Sequence, residues 1–156
     1  MTSAAPLATD LPLPDDGLRL DQQLCFALYS ASLAMTKLYR PLLDTLGLTY
    51  PQYLVMLVLW EHGSVSVGEL GERLNLDSGT LTPLLKRLEG QGRIARERSA
   101  SDERRVDVSL TDDGRALREQ ARAIPPRILE GAGCTVAELG SLTRRLQALR
   151  QTLQDR

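Results

Sequence analysis

From Leu20 onward apolar residues return every three or four positions: Leu20, Leu24, Leu28, Ala31, Met35, Leu38 and Leu42. That spacing predicts an amphipathic helix over about 18–46, with Pro41 placed to bend or break it near its end and Gly47 marking a turn. Tyr50 to His62 (YPQYLVMLVLWEH) is apolar all round, with Pro51 suited to the first turn of a helix and Gly63 as its stop. Ser64 to Ile94 reads as two short helices. Val67, Leu70 and Leu74 point inward from the first, and Leu81, Leu84 or Leu85, and Leu88 from the second. Asp77 and Ser78 are good caps for the second helix, and Gly90 and Gly92 stop it. If Asp77 caps, Pro83 lies past the first turn and removes a backbone bond; if Thr80 caps, Pro83 is tolerated.

The period then changes. RIARERS and RRVDVSL are short strand-like runs joined by the polar turn SASDE, which predicts a two-stranded hairpin. Thr111 or Asp112 caps a further helix through Ala116, Leu117, Ala121 and Ile124, kinked at Pro125 and Pro126. A last helix starts at about Thr135, with Leu139, Leu142, Leu146, Leu149 and Leu153 spaced three, four, three, four, as in a coiled-coil seam. Residues 1–17, rich in Pro, Ala, Thr and Asp and without a period, read as a mobile tail.

The fold class expected is therefore mainly α with a small β-hairpin wing, a winged helix-turn-helix at about 64–110. Helices at about 18–46 and 112–154 would form a dimer interface. Hydrophobic residues are 42% of the 156, which suits one soluble domain with a real core. Aromatics are only 4%, so the core is chiefly aliphatic. No apolar run approaches the roughly 20 residues of a membrane span. The N-terminus lacks the pattern of a signal peptide, so a cytoplasmic location is expected.

Net charge is −1, which by itself gives no reason to expect nucleic acid. Between Lys86 and Arg105, however, seven basic residues face four acidic ones. Asp10 to Asp21 runs the other way, with four Asp against Arg19. Basic charge thus sits on the second helix of the pair and on the hairpin, where a winged helix meets DNA. Ser78, Thr80 and Thr82 are placed to reach base edges, and Lys86, Arg87 and Arg96 to meet phosphates. A solvated surface or a protein-docking module is the bland alternative. With one His and two distant Cys there is no metal set, and no cofactor is expected.

Cys25 lies in the apolar stretch DQQLCFALYS, and Cys134 in GAGCT between two helices. In a reducing compartment such a pair is more suited to free, catalytic or redox-sensing thiols than to a permanent staple. Cys25 alone could be a small core hydrophobe. Tyrosine hydroxyls could instead stabilise its thiolate, and Tyr29, Tyr39, Tyr50 and Tyr53 are the ones available. Tyr29, Tyr53 and Trp60 read as core, and His62 as a cap or surface residue.

GELGERLNLDSGTLTPLLKRLEGQG and RERSASDERRVDVSLTDDG resemble the MarR-type winged-helix transcription regulators, over residues 20–154. LCFALYSASLAMTKLYRPLL and LGLTYPQYLVMLVLWEHG resemble their organic-hydroperoxide-resistance branch, OhrR, in its two-cysteine type. The resemblance implies a homodimeric repressor on a pseudo-palindromic double-stranded DNA operator, induced by organic hydroperoxides, with no membrane partner and no enzymatic activity. Cys25 matches the branch's peroxide-reactive cysteine, and Cys134 the one that forms an intersubunit disulfide with it. Tyr39 and Tyr50 match tyrosines that hydrogen-bond the reactive sulfur from the partner subunit. Arg104 matches the minor-groove arginine of the wing, with Asp102 helping to hold it. A MarR-type regulator answering a small lipophilic or phenolic ligand without redox chemistry is the alternative. A two-cysteine peroxidase is disfavoured because the chain lacks a βαβ pattern.

Overall fold

The computed structural model describes residues 17–156; the tail expected over 1–17 lies almost wholly outside them. The chain divides into two compact units, one ending at Met35 and one spanning Thr36–Arg156. A single 3-10 turn, Leu20–Gln22, lies in the first unit and precedes α1 (Leu24–Asp44), whose residues from Thr36 onward belong to the second. The helix thus starts later than the stripe from Leu20 suggests. Pro41 lies inside α1 without ending it.

In the second unit α2 (Tyr50–His62) is central. Thr49 and Gln52 form a reciprocal capping box, so the chain enters the helix with its first donors satisfied. Tyr53, Val55, Met56 and Leu59 are buried, which explains why α2 shows no polar stripe. Next come β1 (Ser64–Ser66) and α3 (Val67–Leu74), whose cap Ser66 accepts from the Glu69 N–H at 3.1 Å. Asn75 turns the chain in the left-handed region (φ 54°). α4 (Ser78–Gly90) then buries Leu81, Leu85 and Leu88. Burying each leucine is worth about 2 kcal/mol. Gly71 permits this tight helix pair, since a Cβ there would lie 2.8 Å from the Leu76 carbonyl oxygen.

β2 (Ile94–Arg98) and β3 (Val106–Leu110) form the predicted antiparallel hairpin. β1 adds a third strand against β3, with Val65 opposite Val108 in the order β1-β3-β2. Three residues, SVS, are too short to show a period, so the sheet is wider than the sequence suggests.

Thr111, not Asp112, caps α5 (Asp112–Ala121), accepting from the Gly114 N–H at 3.0 Å. The single kinked helix expected next is two helices. α5 ends at Ala121, and α6 (Ile124–Ala132) begins with Pro125 and Pro126 in its first turn. Two adjacent prolines remove two consecutive donors, which breaks the ladder rather than bending it. Gly131 lets α6 approach α1, where a Cβ would lie 2.7 Å from a Leu38 methyl. α7 (Val136–Gln154) has its own capping box, Thr135 with Glu138, and no buried residue. Its seam residues Leu142, Leu146 and Leu153 are exposed within the chain. Among the described residues no helix is long and apolar enough to cross a membrane.

Candidate functional site

The buried leucines of α4 fix which face is presented outward. Asp77 is the cap; its carboxylate accepts from the Thr80 N–H at 2.7 Å, and this bond holds its pKa below the ordinary carboxylate value. Pro83 therefore lies past the first turn, on the exposed side of the helix where water can serve the freed Gly79 carbonyl. Ser78, Thr82 and Lys86 fall four residues apart in one exposed row, with Thr80 and Arg87 exposed beside it. All five residues expected to face DNA from this helix are solvent-facing.

The wing is closed by backbone bonds. Ser99 N–H donates to Arg105 O at 2.8 Å, and Arg105 N–H to Asp102 O at 3.0 Å. Asp102 accepts from the backbone N–H of Arg104 at 3.0 Å. This bond shapes the tip that carries Arg104. Arg105 pairs with Asp107 at 2.7 Å, and Arg104 is exposed at the tip. Arg96 is engaged otherwise than its expected phosphate role suggests. Its guanidinium meets Glu89 at 3.0 Å, tying β2 to the last turn of α4 and lowering the Glu89 pKa.

Cys25, the second residue of α1, is a free and exposed thiol. Cys134 is a free, half-buried thiol between Gly133 (φ 64°) and the cap Thr135, and its Sγ donates to the Ala132 carbonyl at 3.3 Å. Tyr29, expected in the core, is 64% exposed because it lies on an uncovered face of α1. Tyr39, Tyr50 and Tyr53 cluster. Ring centroids are 5.0 Å apart for Tyr39–Tyr50, 5.9 Å for Tyr39–Tyr53 and 6.4 Å for Tyr50–Tyr53. Burial, with the neighbouring phenols Tyr50 and Tyr53, pushes Tyr39 up to about 12. Burial also raises Tyr50 and Tyr53. These phenols stay protonated at neutral pH and can donate hydrogen bonds. Tyr53 is buried as expected; Trp60 is only half-buried, and its N–H donates to the Gly114 carbonyl at 2.9 Å. His62, exposed at the end of α2, lies 3.7 Å from Glu61.

Four residues important to this arrangement were not singled out by the pattern: Glu89, Gly114, Asn75 and Gln154. Their partners are seven or more residues away, beyond any local signal.

Residues 37–120, more than half of the chain, match the SarA/Rot family of transcriptional regulators. The organic hydroperoxide resistance transcriptional regulator of Bacillus subtilis is 52% identical over 141 residues, covering 90% of this chain and 96% of its own. AbfR is a protein of Staphylococcus epidermidis. Its reduced form bound to DNA is 39% identical, with a TM-score of 0.72 over 89% of this chain and 96% of that one. Its disulfide form is 38% identical, with a TM-score of 0.59 over 85% and 93%.

A capped helix exposing small polar residues and cations, followed by a wing with an arginine at its tip, agrees with these relatives: the chain is a DNA-binding transcriptional regulator. The likeness to the two relatives extends through the helices outside the winged helix as well. The chain belongs to the MarR family of winged-helix regulators, in its organic-hydroperoxide-resistance branch.

Proposed function

We propose that the protein is a homodimeric repressor that releases DNA when an organic hydroperoxide oxidises Cys25. The observation that carries this reading is the free, exposed Cys25 with a second free thiol, Cys134, in a short glycine-flanked linker. The relatives support it: one is named for organic hydroperoxide resistance, and another occurs reduced on DNA and in a disulfide form.

In the reduced dimer Ser78, Thr80 and Thr82 reach base edges and Lys86 and Arg87 approach phosphates, while Arg96 stays paired with Glu89. Arg104, on a tip shaped by Asp102, enters the minor groove. The two half-sites lie about one DNA turn apart. The exposed seam of α7, together with α1, forms the dimer interface.

The Cys25 thiolate attacks the hydroperoxide. An S–O bond forms, the O–O bond breaks and an alcohol leaves, so Cys25 is oxidised to the sulfenic acid and the peroxide is reduced. Tyr39 and Tyr50 of the partner subunit donate hydrogen bonds to the sulfur. The Cys134 thiolate of the partner subunit then attacks the sulfenic sulfur, a disulfide forms and water leaves. The disulfide shifts the DNA-reading heads, and two equivalents of a thiol restore the reduced form. An alkyl chain gains by burial in apolar surroundings, which favours organic over hydrogen peroxide.

The test is anisotropy of the reduced protein on DNA from its own promoter, before and after one equivalent of cumene hydroperoxide. Tight binding lost on oxidation and regained with dithiothreitol supports the reading; Cys25→Ser should bind equally and ignore the peroxide. Release of Cys25→Ser by peroxide, or wild-type binding indifferent to it, refutes the reading. Indifference would leave a small lipophilic ligand as the inducer to seek.

A further inference from the structure

Trp60 is the single tryptophan of the chain, and it has different neighbours on its two sides. Its ring meets Tyr53 edge-on, with centroids 6.2 Å apart, and Tyr53 belongs to the cluster with Tyr39 and Tyr50. Its indole N–H donates to the Gly114 carbonyl at 2.9 Å, across 54 residues of chain.

Gly114 belongs to the junction from which the wing leaves. It is buried, and a Cβ on it would overlap the carbonyl oxygen of Arg93, so the first turn of α5 presses on the backbone at the root of β2. The same turn is fastened there twice more. Thr111 N–H donates to Arg93 O at 3.2 Å, and Thr111 Oγ1 donates to Gly92 O at 2.6 Å. β2 begins one residue later, at Ile94. Arg93 thus has α5 on one side and the wing on the other, and Trp60 holds α5 from α2.

We infer that Trp60 is a positioning residue for DNA binding, fixing the wing root through the Gly114 carbonyl and coupling the wing to the tyrosine cluster through Tyr53. The cluster half rests on the sensing function proposed above; the wing half does not. A ring that merely filled space would need neither the N–H nor the wing to exert its effect.

The experiment is a double-mutant cycle on the full-length reduced protein, reading operator affinity for wild type, Trp60→Phe, Arg104→Ala and the double variant. Phenylalanine keeps a ring and deletes the N–H. Trp60→Phe is expected to weaken binding roughly three- to tenfold, the range of one neutral hydrogen bond. With Arg104 already replaced, Trp60→Phe should weaken binding less than twofold further. Additive losses, a silent Trp60→Phe or a silent Arg104→Ala each overturn the wing half. Should Trp60→Phe fail to fold, biosynthetic replacement of tryptophan by its benzothiophene isostere alters this one residue and deletes only the N–H, with the same outcomes. One equivalent of cumene hydroperoxide then tests the other half. Trp60→Phe should form the Cys25–Cys134 disulfide as wild type does, yet show a smaller ratio of oxidised to reduced Kd. An unchanged ratio overturns the coupling. A wild type indifferent to peroxide overturns the coupling together with the sensing function, while the wing half is still decided by the reduced-state cycle.

Discussion

The side-chain amide of Gln154 donates to the Asn75 side-chain oxygen at 2.8 Å, so the last turn of α7 meets the turn between α3 and α4. The two residues are 79 apart in sequence. Asn75 also adopts φ 54°, a region that asparagine and glycine enter more easily than other residues.

These two roles of Asn75 separate by mutation. Asn75→Ala is expected to lower unfolding stability by about 1 kcal/mol, from the strained backbone. Asn75→Gly removes the same side-chain bond while relieving the strain and should cost less. Gln154→Ala, which loses only an exposed hydrogen bond, should stay within about 0.5 kcal/mol. Urea denaturation of the three variants gives the order; equal losses for Asn75→Ala and Asn75→Gly would show that the backbone contributes nothing.

Gly114→Ala places a methyl group against the Arg93 carbonyl, where a backbone atom rather than a flexible side chain must yield. A loss of about 2 kcal/mol or more is expected, with weaker operator binding because the wing root is displaced. Thermal unfolding and anisotropy together check this.

The ion pair between Arg96 and Glu89 withholds a cation from DNA. Glu89→Gln frees the guanidinium. The variant should bind DNA more tightly at low salt, and its log Kd should depend more steeply on log salt by about 0.9, the increment for one further phosphate. An unchanged slope would keep Arg96 in a purely structural role.

Tyr39 ionises at about 12 in the folded chain against an ordinary 10.0. The unfolded chain gives up this proton first, so the contribution is fully present below pH 10 and is lost as the pH rises towards about 12. Tyr39→Phe should therefore show a shallower alkaline fall in stability, measured by denaturation across that range. If Tyr39 donates to the sulfur of Cys25, the same variant should also react with cumene hydroperoxide about tenfold more slowly at neutral pH.

Much of the architecture was legible because each element carries its own period and caps. Leu81 and Leu88 placed α4, while the choice between Leu84 and Leu85 and between an Asp77 and a Thr80 cap came from the structure, and the alternation around Val106 to Leu110 placed β3. β1 was not legible, being three residues whose strand character comes from pairing with β3. The α5–α6 break differs from the expected kink because Pro125 and Pro126 lack two consecutive N–H donors, which interrupts the ladder after Ala121. For the candidate site, Ser78, Thr82 and Lys86 follow from helix spacing, whereas the roles of Cys25 and Cys134 came only from family resemblance. Arg96 with Glu89, and Trp60 with Gly114, depend on how separate elements meet, which no local pattern encodes.

Nineteen residues of α7 form without burying one side chain in their own chain. A helix so placed must borrow its cover. In the proposed homodimer the last step of folding is then bimolecular, and the melting temperature should climb as protein concentration is raised. A cell that makes little of such a regulator holds it closer to unfolding, so expression level itself becomes part of how long each molecule survives.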